Sequence, residues 1–589
     1  MNANKQEVLL SSVACFLETN NAHLVRWTMA FFLLSYGIPQ NTIASVTNYS
    51  DRHIRNIKNK FKNLDEIFLQ PIGKKGRKKK ISQLIHGEMI KYIVTHPRAK
   101  LKDVARHLKE QCGINVSTKT IERDLEEYNL SDIFTIIRKR EERLIHTKYG
   151  GGWLLAPFIS DLVKKTENAF NGLPGSIETI LTLFFLSVFG IERTFHLEDL
   201  SDLGFAILTG RNRVLSRTTL FRWGKKCRKS MVLRFYELTR PLEDFIEKDL
   251  RISIDEHVVA RWTKKVAIPG TKHPTRGKAM RADKLFYIFE LGKKRILSFK
   301  PKQGSATLAN TTLKMVKELF SSFKPKSVRM VLDAGGCKGS VIARFNGIKS
   351  LIYLIRAKRY SNLVDIWKKV KKDEYKEYPD PSDPENRTIR IAETRTKIKG
   401  CNSSIRTILI LDENAEEEKD KFYPIYTNDE DTPAYDLVIE YRGRQNHELC
   451  YRVLKHDLNL DALPKSYPLD PKAEKVQFRD KSVILIGWIK ALAFNIIGDF
   501  KESLDVKYHK MTAGTIVRKF IHRSATINTT ADEIVVKFDY FREQDALRAY
   551  CEMVNREKME ISWFGDKILR FEFESKEEHK ERKSFLSGG

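Results

Sequence analysis

The sequence lacks the features of a secreted protein, a zinc finger and a membrane span. Its seven cysteines are scattered and form no Cys-x-x-Cys pair, which excludes a disulfide scaffold and disfavours a zinc finger or ribbon. No basic region followed by an apolar run stands near the start, so we expect no secretory signal. The most apolar run, Val483–Gly498, has 16 residues and contains Lys490, too short and too charged to span a bilayer. We therefore predict a buried helix there, no membrane partner and a soluble intracellular protein.

What the sequence has in excess is positive charge. Lys and Arg number 105 and Asp and Glu 75, so the net charge is +30. Hydrophobic residues at 41% suffice for folded cores, which excludes wholesale disorder. The charge is uneven, with 26 basic and 15 acidic residues in positions 1–150 but 13 basic and 19 acidic in 362–440. A surplus of this size indicates a polyanionic partner, with nucleic acid as the first candidate and a basic surface that merely serves solubility as the alternative.

The first 150 residues repeat one pattern on either side of a basic linker. In residues 1–70 an apolar helix precedes a polar turn with Ser50 as candidate N-cap and then a basic helix, and residues 83–150 repeat the order with Ser117 as the cap. Residues 71–82 between them are a linker, rich in Lys and Gly.

Two helix-turn-helix modules around such a linker are typical of proteins that bind double-stranded DNA, and a charged helical hairpin is the alternative for each module. The predicted DNA contacts are Arg52, Arg55, Lys58, Lys74, Lys75, Arg77, Lys78, Lys79, Lys119, Thr120 and Arg123.

Residues 151–249 are predicted to form a helical domain that contains a weaker, third helix-turn-helix candidate. The stretch 205–229 has Ser216 as its candidate cap and follows a strongly apolar helix at 177–190. Its exposed basic residues are predicted to be Arg211, Arg213, Arg217 and Arg222.

From about residue 250 the pattern changes to strands. Over residues 250–361 the order β-β-β-α-β-α-β predicts a mixed sheet with crossover helices. Residues 362–440 are acidic and contain two strand-like runs, so we expect a separate β-rich insertion. Residues 441–505 return to helices, and residues 506–589 predict a small α+β region. The chain as a whole is therefore expected to be multidomain.

Two aspartates stand out in the predicted sheet. Asp255 lies in an apolar strand, and Asp333 ends another strand just before Gly335 and Gly336. Adjacent parallel strands would bring the two carboxylates together, where they repel each other, and a divalent cation relieves the repulsion. The alternative is that each aspartate is satisfied by main-chain amides at the strand ends.

A third acid lies in the stretch YRGRQNHELCYRVLK. Tyr441, Arg444, Glu448 and Lys455 fit the pattern Y-x2-R-x3-E-x6-K. Arg444 and Glu448 are four residues apart and Glu448 and Lys455 seven, so the three share one helical face. An ordinary ion-pair ladder is the alternative for this face.

With these residues, the sequence resembles the DDE transposases of bacterial and archaeal insertion sequences that carry the same Y-R-E-K signature. The resemblance covers roughly residues 251–500. It implies an RNase H-like catalytic domain with a β-rich insertion at 362–440. Asp255, Asp333 and Glu448 match the family's metal-binding catalytic triad, and Tyr441, Arg444 and Lys455 match residues that hold DNA phosphates near the cut.

The resemblance also implies a mechanism and partners. The cofactor would be two Mg²⁺ ions, for which Mn²⁺ substitutes, and the reaction would be cleavage of the element's ends and their joining to target DNA. The protein would act as a homodimer on paired ends, in the cytoplasm at the nucleoid. Whether excision passes through hairpin ends stays open, as does the aromatic residue that stacks on a flipped base, for which the candidates are Trp367, Phe422 and Tyr423.

Three rival functions remain at this point. The first is a domesticated, transposon-derived DNA-binding protein or regulator without strand transfer. The second is an RNase H-like nuclease or junction resolvase, which has no need of tandem helix-turn-helix modules. The third is a transcription regulator, which leaves Asp255, Asp333 and Glu448 unexplained.

Overall fold

The computed structural model describes most of the chain. The described residues are 29–30, 33–34, 39–47, 49–60, 81, 83–96, 99–127, 143–261, 270–272, 277–381, 383–411, 421–463, 481–530 and 532–587. They divide into two compact units. The first comprises Met1–Ile145, Ile527–Val535 and Lys567–Arg570, and the second comprises His146–Thr526, Val536–Asp566 and Phe571–Gly589.

The N-terminal part of the first unit is helical. Its helices are α1 (Gln40–Thr47), α2 (Asp51–Lys60), α3 (Gln83–Thr95), α4 (Leu101–Cys112) and α5 (Thr118–Glu127). As predicted, Ser50 and Ser117 cap α2 and α5, since each Oγ accepts a hydrogen bond of 3.2 Å from the backbone N–H three residues later. Such caps satisfy amides that have no partner within the helix. Buried side chains from both helix pairs, such as Ile54 and Ile121, belong to one hydrophobic cluster.

The segment before the central sheet is largely helical. Its elements are β1 (Arg143–Thr147), α6 (Ala156–Ala169), α7 (Ser176–Val188), α8 (Leu203–Leu208), α9 (Arg217–Lys226), α10 (Lys229–Thr239) and α11 (Leu242–Phe245). Eleven of the 13 residues of helix α7 are buried, which is typical of a helix surrounded by protein on all sides.

The next region alternates strands and helices, as its sequence pattern predicts. The elements are β2 (Asp249–Ala260), β3 (Gly270–Lys272), β4 (Ala279–Glu290), β5 (Arg295–Gln303), α12 (Leu308–Phe323), β6 (Ser327–Leu332), α13 (Gly339–Asn346), β7 (Leu351–Arg356) and α14 (Ser361–Trp367). Strands β2 and β4 are antiparallel, as are β4 and β5, whereas β2, β6 and β7 run parallel.

The strands of residues 362–440 do not form a separate unit, contrary to the expectation. They are β8 (Lys376–Asp380), β9 (Asp383–Thr396), β10 (Ile405–Leu411) and β11 (Phe422–Thr427), followed by α15 (Ala434–Arg442). Strand β11 pairs antiparallel with β7, and β10, β9 and β8 follow in turn. The order is therefore β3-β4-β2-β6-β7-β11-β10-β9-β8, with β5 also paired to β4. Without β11, strand β7 would be an edge strand with one side unpaired, and β11 forms hydrogen bonds with that side.

The central sheet is covered on both faces. Helices α12, α13 and α14 bury apolar side chains against one face, including those of Ile252 and Ile254 on β2. Helix α15 packs Leu437 and Val438 on the other face, against Val331 and Leu354. The architecture is a three-layer α/β arrangement, with one mixed sheet between two layers of helices.

The remaining elements are helical at first and then mixed. They are α16 (Gln445–His456), α17 (Lys481–Glu502), α18 (Val506–His509), α19 (Ala513–Ile516), β12 (Ala525–Thr529), β13 (Glu533–Phe538), α20 (Asp545–Glu557), β14 (Glu560–Ile561), β15 (Lys567–Phe573) and α21 (Lys576–Ser587). The second sheet has the order β1-β12-β13-β15-β14.

The most apolar run of the sequence lies in α17, a helix of 22 residues that is longer than the run itself. Its length and composition alone would allow it to cross a membrane, but most of its apolar stretch is buried inside the protein. It packs against β5, α7 and α10. Gly487 permits this close approach, because a Cβ there would lie 2.5 Å from the ring of Phe299.

Candidate active site

Three neighbouring strands place three charged residues in one row, one within β2, one just after β6 and one at the end of β7. The registers pair Ile254 with Leu332 and Leu332 with Ile355 across β2, β6 and β7. The next residues along these parallel strands are Asp255, Asp333 and Arg356. The predicted adjacency of the two aspartates is thus present in the sheet. Arg356 was missed, although the same argument applied to the strand SLIYLIRA would have found it.

Asp255 is the more deeply buried of the two aspartates. Burial, together with the negative charge of Asp333, raises the pKa of its carboxyl to about 6, against the lowering effects of the Glu256 amide and of Arg444. One oxygen, Oδ1, accepts a hydrogen bond of 2.8 Å from the backbone N–H of Glu256. The raised pKa reports a carboxylate that lacks full compensation for its lost hydration.

Arg444 joins this carboxylate to the predicted third acid. Its Nη1 lies 3.4 Å from Asp255 Oδ2, and its Nη2 donates a hydrogen bond of 2.5 Å to Glu448 Oε1. Burial by itself lowers the pKa of the Arg444 guanidinium, but the neighbouring Tyr441, Asp333, Asp255 and Glu448 outweigh it, so the pKa is raised. A cationic side chain therefore lies among the carboxylates of the predicted triad.

Asp333 has capacity for a further partner. Its Oδ1 is buried and has no hydrogen-bond partner among the described residues, and the nearest cation, Arg356 Nη1, is 3.9 Å away. A buried acceptor without a partner is costly, and a bound cation removes that cost.

The residues fit a divalent cation held by few protein ligands. Mg²⁺ commonly takes one or two carboxylates together with water and substrate phosphate, which Asp255 and Asp333 can supply. They do not fit a complete protein cage, since in the described part of the chain no three His, Cys, Asp or Glu side chains are grouped closely enough to hold one ion. Glu448 faces Arg444 instead.

The other signature residues lie at different distances from the carboxylates. Tyr441 is buried under the sheet with its hydroxyl 3.5 Å from the Leu332 carbonyl oxygen, and burial, aided by Tyr423, raises its pKa. Lys455 is half-buried in the last turn of α16. Seven residues place it about 10 Å along the helix axis from Glu448, beside the carboxylates rather than among them.

The structure separates the three aromatic candidates. Trp367 is fully buried and its indole N–H donates to Thr396 Oγ1 at 3.2 Å, while Phe422 is buried in the same core. Tyr423 is only partly buried, and the guanidinium of Arg356 lies 4.3 Å from the centre of its ring. Only Tyr423 of the three thus lies next to the row of charged residues.

Two residues of α16 that the signature does not contain anchor the helix to the sheet. The hydroxyl of Tyr451 donates a hydrogen bond of 2.7 Å to the backbone oxygen of Asp255. The backbone oxygen of Leu285 lies 3.3 Å from the same hydroxyl. His447 is fully buried and stacks on Tyr451 and Phe289, with ring centres 4.9 and 5.4 Å apart. Burial, with Arg444 nearby, lowers the pKa of His447 to about 3, so its ring is neutral.

The predicted DNA contacts of the first unit are only partly within the described residues. Arg52 and Arg55 on α2 and Lys119 and Arg123 on α5 are exposed. Thr120 is half-buried, and its amide and hydroxyl are hydrogen-bonded to the cap Ser117. The side chain of Lys58 and the linker residues Lys74, Lys75, Arg77, Lys78 and Lys79 lie outside the described residues.

Comparison with known proteins adds a distant likeness in fold. No family model matches the sequence, and no curated protein matches it. Among solved structures, a cryo-EM structure of a piggyBac transposase synaptic complex with hairpin DNA matches at a TM-score of 0.37 and 11% identity, over 64% of this chain and 82% of that chain. A likeness of that size carries no argument about the activity of this chain.

Proposed function

We propose that the chain is a DDE-type DNA transposase that binds the terminal repeats of its own mobile element, cuts the DNA there and joins the 3′-OH ends to target DNA. The observation that carries the proposal is that Asp255, within β2, lies beside Asp333, just after the parallel strand β6. Glu448 is linked to Asp255 through Arg444. Two acids on rigid strands and one on a neighbouring helix are the arrangement that metal-assisted phosphoryl transfer uses.

The strand arrangement supports an RNase H-like assignment for the catalytic domain. Three antiparallel strands, β5, β4 and β2, are followed in the sheet by the parallel β6 and β7. This matches the strand order that the resemblance implies. In this assignment β8 to β11 take the place of the inserted β-domain, joined to the catalytic sheet through β7.

The roles of the residues follow from their contacts. Asp255, Asp333 and Glu448 would hold two Mg²⁺ or Mn²⁺ ions, which when bound polarise the scissile phosphate and neutralise its developing charge. Arg444 would turn from the carboxylates toward a DNA phosphate, and Lys455 would bind a phosphate further along α16. Tyr441 would support Arg444 from beneath the sheet. The exposed basic residues of α2 and α5 would contact the terminal repeats.

The assembly would be a homodimer on paired ends, in the cytoplasm at the nucleoid. A dimer would let one complex cut both ends of the element before either is joined to the target.

Cleavage of the element's ends tests the proposal. The full chain is incubated with Mg²⁺ and duplex DNA that carries those ends, and wild type is compared with Asp333→Ala and with Asp365→Ala, an exposed aspartate on α14. We expect cleavage by wild type and by the control variant and none by Asp333→Ala. Cleavage that persists in Asp333→Ala would refute the assignment of the triad.

A DNA-binding regulator without strand transfer is the second candidate. It is favoured by one observation, that Arg444 and not a third carboxylate faces Asp255, so no three-residue metal group is assembled among the described residues. Tight binding to the ends without cleavage by any variant, in Mg²⁺ or Mn²⁺, would support it.

A further inference from the structure

Helix α9 and the residues around it form a strongly basic segment outside the candidate active site. Residues 211–229 contain eight Lys and Arg and no Asp or Glu. All of the eight except Arg211 are exposed. The helix begins as the sequence predicts, with the Oγ of Ser216 accepting a hydrogen bond of 3.2 Å from Thr219 N–H.

The inner face of α9 is held firmly, so that its outer face has a defined orientation. Trp223 is buried, its indole N–H donates to Ser176 Oγ at 3.1 Å, and its ring lies 5.4 Å from that of Phe170. Leu215 and Cys227 are buried at the two ends of the helix. The segment is thus a fixed surface, which a merely solvating charged tail would not be.

The outer face combines cations with exposed aromatic rings. Arg222, Lys225 and Lys226 point outward, and Phe221 is 64% exposed with Lys225 Nζ 4.9 Å from its ring centre. Arg217 lies over Phe195, which is 52% exposed, and also pairs with Glu198 at 3.1 Å. The surface therefore offers apolar contact to sugar or base edges together with charge for phosphates.

We propose that the outer face of α9 binds duplex DNA, with Arg222, Lys225 and Lys226 on phosphates and Phe221 in apolar contact with sugar or base. The preceding helix α8 and the turn to α9 have the order of a helix-turn-helix, and a helix of this size fits a major groove. The proposal rests on the proposed function only in taking DNA as the polyanion. It adds a DNA surface within the second unit, separate from α2 and α5.

The salt dependence of binding tests this surface directly. The full-length triple variant Arg222→Gln, Lys225→Gln, Lys226→Gln is compared with wild type on a random-sequence duplex, by fluorescence anisotropy in EDTA over a range of KCl. The logarithm of the binding constant falls with the logarithm of the salt concentration, and each lost phosphate contact makes this slope shallower by about 0.9. Three lost contacts should make it shallower by roughly 3 and weaken binding on the order of tenfold or more.

The matched control removes the same charge elsewhere in the unit. Lys314, Lys317 and Lys326 are exposed on and just after α12, and their triple Gln variant should retain the wild-type slope. A further variant, Phe221→Ser, should weaken binding without changing the slope, which separates apolar contact from charge.

Two outcomes on the duplex would overturn the proposal, a wild-type slope in the α9 variant and an equal loss of slope in the control. One strand of the same DNA is measured in parallel, and a loss confined to that single strand would overturn the proposal as well. The readouts also distinguish this proposal from the proposed function. A changed slope together with no cleavage by any variant would leave the α9 surface standing and remove the transposase assignment. A wild-type slope together with cleavage that is lost only in Asp333→Ala would do the opposite.

Discussion

The hydroxyl of Tyr451 donates a hydrogen bond of 2.7 Å to the backbone oxygen of Asp255. This contact joins α16, which carries Glu448, to the strand that carries the first aspartate. We expect Tyr451→Phe to lower the free energy of unfolding by about 1–3 kcal/mol, because a partly buried carbonyl loses its donor. The Mg²⁺ concentration for half-maximal DNA cleavage should rise severalfold, since Glu448 is held less firmly beside Asp255.

A distant tyrosine provides the control for this prediction. Tyr550 is buried, and its hydroxyl donates to the Leu154 backbone oxygen at 2.6 Å. Tyr550→Phe should destabilise the fold similarly and leave the Mg²⁺ dependence unchanged. An unchanged Mg²⁺ dependence in Tyr451→Phe would show that its hydrogen bond serves stability alone.

Arg444→Gln should change two measurable quantities, the stability of the protein without Mg²⁺ and its stabilisation by Mg²⁺. Without the guanidinium, Asp255 and Glu448 lose a cationic partner, and stability in EDTA should fall by up to about 3 kcal/mol. Added Mg²⁺ should then raise the melting temperature more than it does in wild type, because the ion no longer competes with a resident cation. Thermal melts with and without MgCl₂ measure both effects.

Arg329→Gln is the comparison for Arg444. Arg329 forms ion pairs with Glu440 at 2.6 Å and with Asp429 at 2.9 Å, outside the row of charged residues in the candidate site. The variant Arg329→Gln should lower the melting temperature, and the rise in melting temperature on addition of Mg²⁺ should equal that of wild type. A Mg²⁺ shift in Arg444→Gln no larger than that of wild type would contradict the competition.

Lys490 should give the protein an alkaline rise in stability. Burial lowers the pKa of its ammonium to about 8, and its Nζ donates to the Leu458 backbone oxygen at 2.5 Å. The pKa of the unfolded chain is near 10.4. Between about pH 8 and 10.4 the unfolded state therefore binds a proton that the folded state has released, and stability rises with pH by about 3 kcal/mol over this window. Below pH 8 the whole cost of the buried charge is present.

Calorimetry across this pH range measures the effect. Lys490→Met should remove most of the rise, whereas Lys510→Met, at an exposed position, should retain it. Identical pH profiles for wild type and Lys490→Met would mean that Lys490 is not the source.

Arg123→Ala should impair the choice of DNA sequence more than DNA binding in general. Arg123 is exposed on α5, after the cap Ser117, where a recognition helix meets base edges. Loss of such a contact should weaken binding to sites selected from a random duplex library by about 1–3 kcal/mol. Lys109→Ala, at an exposed position on α4, should weaken selected and random sites equally. A uniform loss for Arg123→Ala would place it on phosphate instead.

The two aspartates on the parallel strands were the part of the site most accessible from sequence. Asp255 within an apolar strand and Asp333 at the end of another predict two carboxylates on neighbouring parallel strands, and the register of β2 and β6 places them side by side. Arg356 was equally accessible, since it ends the next strand. Tyr451 and His447 were not, because the direction in which a helical side chain points depends on how α16 crosses β2 and β4, which long-range packing decides.

The sequence also did not show which strands pair with each other or which aromatic side chains are buried. The runs in 362–440 could be recognised as strands, but nothing local shows that β11 pairs with β7. Trp367 and Tyr423 are both aromatic residues near a strand, and only the packed core shows that one is inside it. The role of the carboxylates as metal ligands stays a prediction.

The continuity of the sheet limits which side of the site can adapt. Strand β2 is paired on both sides, with β4 and β6, and β6 is paired with β2 and β7. Changing the separation of Asp255 and Asp333 would require several ladder hydrogen bonds to break together. If the site holds cations as proposed, we expect ions of different radius to be accommodated on the side of α16, where Glu448 is 53% exposed and pairs with Arg444. The position of α16 would then determine which ions the site accepts, because the sheet keeps the distance between Asp255 and Asp333 constant.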